Sequence, residues 1–226
     1  MVVGREAELA EVERFLGRIK TGFVVLALEG EAGIGKTMVW REALRRAQER
    51  GVLVLSCRPS IAEAKFSFGA VGDLLAAIDF DEFAVLPDPQ REAVEVALLR
   101  KGPAGRAPAA RAVATGFLSL VRALADTREV LLAVDDWQWL DLSSRRVLEF
   151  AARRLVGERV GLLCSIRLPS SVDLIGGGVA EDREHRIMLG SLSLAALGRI
   201  LAGRLGRTLP RPILIRIAEA SGGNPF

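Results

Sequence analysis

Histidine occurs once and cysteine twice in the 226 residues, too few soft ligands for a zinc site. His185 stands between Glu184 and Arg186 rather than beside other ligands. Cys57 and Cys164 lie in apolar, strand-like runs and read as reduced core residues. Asparagine also occurs once, as Asn224, so the N-K-x-D loop with which the common GTP-binding proteins read guanine has no place here. The net charge of +3 is small, and the arginines are scattered over helices in both halves, which argues for solvated faces rather than a nucleic-acid patch. No uncharged apolar run approaches the roughly 18 residues of a membrane span. The opening stretch MVVGREAELAEVERF lacks signal-peptide character. A cytoplasmic protein that contacts neither membrane nor nucleic acid directly is the expectation.

What is present is a balanced globular composition, 50% apolar and 26% charged. The chain is long enough for one well-buried core, or for that core with a small lobe beside it. Strand-like and helix-like patterns alternate. FVVLALEG (23–30) is a continuous apolar run of the kind buried on both faces of a parallel sheet. Further strands are expected at 52–57, 129–136, 160–167 and 185–190, with helices near 5–19, 36–51, 90–100, 107–126 and 142–156. That alternation implies βαβ crossovers and a three-layer α/β fold with a parallel sheet. Residues 58–89 break the rhythm and read as an insert over one sheet edge, and PAGRAP (103–108) reads as a turn between helices. Beyond Gly190 the pattern is purely helical. We therefore expect an α/β domain over 1–190 and the beginning of a small helical lobe over 191–226.

The segment GEAGIGKT (30–37) places three glycines, a lysine and a hydroxyl between the first strand and the next helix. Glycine-rich turns of the form G-x-x-x-x-G-K-[ST] let backbone amides encircle phosphate oxygens while the lysine neutralises them. The expected nucleotide-binding set here is Gly30, Ala32, Gly33, Ile34, Gly35, Lys36, Thr37 and Met38, with Thr37 also reaching Mg²⁺. A second requirement, an acid at the end of a neighbouring strand, is met by VLLAVDD. Along a regular strand successive side chains point to opposite faces, so the two aspartates divide their roles. Asp135 is expected in the Mg²⁺ shell and Asp136 beside the attacking water; the alternative is that Asp136 merely caps the following turn. Arg167, ending CSIR, is expected to meet the γ-phosphate, the alternative being a surface arginine before a proline turn. The tryptophans of WQWLD read as apolar cover. With guanine reading excluded, ATP or ADP with Mg²⁺ is the implied ligand.

Beside these, VVGRE (2–6), SCRPSIAEAKFSFGAVGDLL (56–75), LLAVDDWQWLD (131–141), FAARRL (150–155) and ASGGNPF (220–226) occur in a fixed order. The set resembles the ATP-binding module of STAND-class P-loop ATPases, in particular that of the large LuxR-type bacterial transcriptional regulators. The resemblance implies a sheet of order 5-1-4-3-2. In that order Cys57 and Cys164 lie two strand spacings apart, roughly 10 Å, too far to bridge. It also implies an adenine pocket lined by Val3, Gly4 and Arg5, and a nucleotide contact from Gly223 and Pro225. ADP would hold such a module closed and ATP would open it, with slow hydrolysis between. Members of that group continue into sensor repeats and a helix-turn-helix, neither of which is expected within these residues. A protein partner or self-association would then act through that further region. Two rivals stand beside this reading. One is a scaffold that binds ADP or ATP without turnover. The other is a P-loop phosphotransferase, disfavoured because the 58–89 stretch offers only Arg58 and Lys65 for a lid.

Overall fold

The computed structural model describes residues 2–98, 109–169 and 180–225. Five strands, β1 (Val24–Gly30), β2 (Leu53–Cys57), β3 (Val130–Val134), β4 (Val160–Arg167) and β5 (Glu184–Met188), form one parallel sheet of order β2-β3-β4-β1-β5. This is the order expected. Helices α1 (Glu6–Arg18) and α2 (Lys36–Glu49) cover one face; α3 (Gly69–Leu75), α4 (Asp88–Ala97), α5 (Ala110–Thr127) and α6 (Leu142–Ala152) belong to the other. Helices α7 (Leu194–Leu205) and α8 (Arg211–Ser221) follow the last strand. The PAGRAP turn, like the last residues of the helix expected over 90–100, lies outside the described residues.

Period-two alternation in the central strands builds both cores. In β1, Val25 and Ala27 join the α3–α6 side, while Val24, Leu26 and Leu28 join the α1–α2 side. In β3, Val130, Leu132 and Val134 face the first core, and Leu131 and Ala133 the second. Each fully buried valine or leucine among them contributes about 1.5–3 kcal/mol. Cys57 and Cys164 are register partners of the same residue, Val134 on the intervening strand. Both are buried and free, and burial raises both thiol pKa values.

The stretch 58–89 is tied down by one buried carboxylate. Asp141 is the N-cap of α6 and accepts from Ser144 N (2.8 Å), and its two oxygens also take the backbone N–H groups of Phe68 (3.0 Å) and Ala70 (3.3 Å). Removing it deletes a helix cap and strands two buried amides. Asp141→Ala should cost about 3 kcal/mol in a urea titration, and Asp141→Asn appreciably less. A loss under about 0.5 kcal/mol would show that the insert is held by its other contacts, apolar and polar, rather than by Asp141.

Parallel order brings the C-terminal ends of β1, β3 and β4 to one edge, where Gly30 pairs with Arg167 and Val134 with Cys164. Ligands of open α/β sheets bind at this edge.

Candidate functional site

The glycine-rich loop leaves β1 at Gly30 and enters α2 at Lys36. Gly33 and Gly35 take φ values of 78° and 105°, which side chains rarely adopt. As the first residues of α2, Lys36 and Thr37 present amides with no acceptor in the helix. Lys36 is only 7% exposed; its Nζ donates to the Gly30 carbonyl (2.9 Å) and the Glu31 carbonyl (2.7 Å). Burial lowers its pKa from the ordinary lysine value, Asp136 and Asp135 raise it again, and Arg167 adds to the lowering.

Asp135 follows β3 and is 1% exposed. Its Oδ1 accepts from Ser165 Oγ (2.6 Å) and Thr37 Oγ1 (3.3 Å), and its Oδ2 accepts from Arg58 Nε (3.3 Å). Asp136 stands beyond the regular strand, whose last residue is Val134 rather than Asp136. Its φ of 61° is left-handed, so what separates the two carboxylates is a backbone turn rather than simple alternation. Asp136 begins the short turn Trp137–Trp139, yet its side chain makes no capping bond there. Instead Gln138 Nε2 donates to Asp136 Oδ1 (2.8 Å), while Gln138 Oε1 accepts the Arg167 N–H (3.2 Å). Ser165 Oγ, besides donating to Asp135, accepts the Asp136 N–H (2.8 Å). Two side chains thus stitch the end of β3 to the end of β4.

A cavity of about 350 Å³ is lined by Ala32, Gly33, Gly35, Lys36, Thr37, Met38, Asp136, Trp139 and Arg167. Beside it, sharing Gly33, Gly35 and Met38, a largely apolar cleft of about 420 Å³ is lined by Val3, Arg5, Ile34, Arg199 and Pro225, among others. Gly4 takes a φ of 74°, and a Cβ added there would lie 2.4 Å from Ala196 Cβ, so the position also requires close approach to α7. Arg5, 4% exposed, directs its guanidinium to Glu8 (2.8 Å) and to the Ile34 carbonyl (2.7 Å). Trp137 is buried as apolar cover, whereas Trp139 reaches the first cavity. Gly223 accepts from the Leu192 N–H (3.0 Å), and Asn224 Nδ2 donates to the Ala32 carbonyl (2.9 Å).

Most of the residues singled out in the sequence therefore line two adjoining cavities, whereas Gly4, Gly30, Asp135 and Gly223 are in the lining of neither. Ser165, Gln138, Arg58 and Asn224 were missed. A serine in the apolar run LLCSIR was the one available signal for Ser165; for the others the partner is visible only in three dimensions. The residues suit an anionic ligand: two cations and the free amides of a helix start line one wall. Thr37 beside Asp135 offers the hard oxygen donors that Mg²⁺ prefers. Among the described residues no group of three or more His, Cys, Asp or Glu stands ready to hold a metal by itself. No described helix is long and apolar enough to cross a membrane.

A family model described as AAA ATPase domain matches residues 1–163. No curated protein matches the chain. Among solved structures, the Aeropyrum pernix ORC1 protein in complex with DNA superposes with a TM-score of 0.53 at 20% identity, over 91% of this chain and 50% of its own. A STAND protein with a tetratricopeptide-repeat sensor from Pyrococcus horikoshii gives 0.50 at 13% identity, over 94% of this chain and 28% of its own. AMPPCP-bound DnaA from Aquifex aeolicus gives 0.50 at 14%, over 94% of this chain and 56% of its own. This chain thus spans little more than half, or less, of each of these three solved chains, and at these identities the likeness is one of fold.

Proposed function

The chain belongs to the AAA ATPase domain family, and from that premise we propose that it is an ATP-binding, slowly hydrolysing switch module of STAND type. The single observation that carries this reading is the meeting of Lys36, Thr37, Asp135, Asp136 and Arg167 at one sheet edge, beside a largely apolar cleft. The DnaA relative is solved with an ATP analogue bound, which supports the same ligand class.

In this reading the amides of Gly33, Gly35, Lys36 and Thr37 hold the phosphate chain, and Lys36 neutralises it. Val3, Met38 and Pro225 flank the base in the apolar cleft. Thr37 and Asp135 would hold Mg²⁺, which would supply charge neutralisation to the phosphates. Asp136 orients the attacking water, and Gln138 keeps its carboxylate turned toward the cavity. Arg167 meets the terminal phosphate. Residues 1–190 would form the ATPase domain and 191–226 the start of a lobe that reads its state. Regulation of LuxR type rests on the ordered motifs VVGRE, LLAVDDWQWLD and ASGGNPF. DNA contact is not assigned to these residues, although the ORC1 relative is solved with DNA; the compartment assigned is the cytoplasm.

A scaffold that binds nucleotide without turnover draws support from Asp136, which is a short side chain with one oxygen already engaged by Gln138. Identification of nucleotide released on denaturing the purified protein, followed by single-turnover ATP hydrolysis with Mg²⁺, decides between the two. ADP or ATP in the protein with slow turnover is the expected result. Binding without any ADP formed would leave the scaffold, and absence of binding would overturn both.

A further inference from the structure

Carbonyl groups of the glycine-rich loop are held by the motif's own lysine and by two side chains from separate parts of the chain. Lys36 holds those of Gly30 and Glu31, Asn224 holds that of Ala32, and Arg5 holds that of Ile34. A trans peptide unit points its C=O and the following N–H in opposite directions. Pinning the Ala32 carbonyl outward therefore turns the Gly33 N–H inward, and pinning the Ile34 carbonyl turns the Gly35 N–H inward. Gly33 and Gly35 both line the cavity assigned to phosphate. Neither clasp lies in the glycine-rich motif itself.

We infer that Arg5 and Asn224 are positioning residues for the phosphate-binding loop: they hold two peptide units so that the Gly33 and Gly35 amides converge on a di- or triphosphate. The inference rests on the nucleotide reading above and specifies what two residues outside the motif do for it. Each clasp has its own support. Glu8 bonds the Arg5 guanidinium at 2.8 Å and orients it toward Ile34. The Asn224 segment is anchored by Leu192 N to the Gly223 carbonyl (3.0 Å) and by Asn224 N to the Ser221 carbonyl (3.0 Å). Because the Ala32 carbonyl only accepts, the nitrogen of the Asn224 amide is the atom that faces it. Since the segment after α8 thereby touches the loop that holds the phosphates, phosphate occupancy and the placement of that segment are coupled, and the coupling is reciprocal.

The test separates the phosphate half of the site from the base half. Affinities of ADP and of inorganic pyrophosphate are measured by competition against a fluorescent ADP analogue. Asn224→Ala, at a partly exposed site, should weaken both ligands by the same factor, about threefold to tenfold for one lost hydrogen bond. Asn224→Asp should weaken them further, since its carboxylate would face a carbonyl oxygen. Arg5→Lys should again weaken the two ligands equally, and thermal melts of the ligand-free variants check that the fold is kept. Loss of ADP affinity with pyrophosphate binding unchanged would place these residues at the base and overturn the inference. Unchanged affinity for both ligands in Asn224→Ala and Asn224→Asp would overturn it as well. If the unaltered protein binds neither ligand, the nucleotide reading itself falls and this inference with it.

Discussion

Asp136→Asn should leave ATP affinity within about twofold and slow the single-turnover hydrolysis rate on the order of a hundredfold, the lower end of what a positioned acid–base group contributes. Asp135→Asn should do the opposite, abolishing the Mg²⁺-dependent part of ATP binding. The division follows from the surroundings of the two carboxylates. Asp135 is 1% exposed and surrounded by donors, namely Ser165 Oγ, Thr37 Oγ1 and Arg58 Nε. A carboxylate so placed next to the helix-start hydroxyl is suited to a cation and badly placed to reach water. Asp136 lines the cavity with Lys36 and Arg167, and its second oxygen is not bonded to Gln138. Asparagine keeps the size of each side chain but removes the negative charge; at position 135 its NH2 must also turn toward one of the donors the carboxylate accepts from, so thermal melts check that the fold is kept. Calorimetric titrations with and without Mg²⁺, run beside quenched-flow turnover, read both effects. Equal loss of Mg²⁺-dependent affinity in the two variants would show the assignment to be wrong.

Lys36→Ala should weaken ATP binding at least tenfold, about 1.4 kcal/mol or more. The lysine is nearly buried, and its ammonium is held by the loop's own carbonyls at 2.9 and 2.7 Å. Its burial disfavours the charged form, and the two aspartates and Arg167 act on it in opposite senses. A phosphate chain entering the cavity would supply compensating negative charge at short range, where low dielectric makes the interaction large. Part of the loss would come from the loop, because the same ammonium pins the Gly30 and Glu31 carbonyls. Lys36→Met, which keeps the apolar stem, separates packing from charge: both variants should lose affinity alike. Unchanged ATP affinity in folded Lys36→Met, measured calorimetrically, would remove the phosphate-binding assignment of the loop.

The sequence alone was enough for the sheet and for the loop. A buried parallel strand must be apolar on both faces, and FVVLALEG, VLVLSC, EVLLAVDD and VGLLCSIR could serve as little else. Glycines at 30, 33 and 35 announce the loop because only glycine tolerates such backbone angles cheaply. Strand order came through a resemblance in motif order rather than through any residue pattern, since period and propensity carry no information about which strands are neighbours. What only the tertiary structure decided are the contacts made between residues far apart in the chain. Arg5 meets the carbonyl of Ile34, Asn224 that of Ala32, Arg58 the carboxylate of Asp135, and Ser165 both aspartates. The left-handed turn at Asp136 likewise interrupts an alternation that the sequence would carry straight through. Each of these is a polar side chain whose partner is a backbone group or an acid brought near by sheet closure. Polar residues carry no periodic signature, so their roles become visible only once the hydrophobic pattern has folded the chain around them.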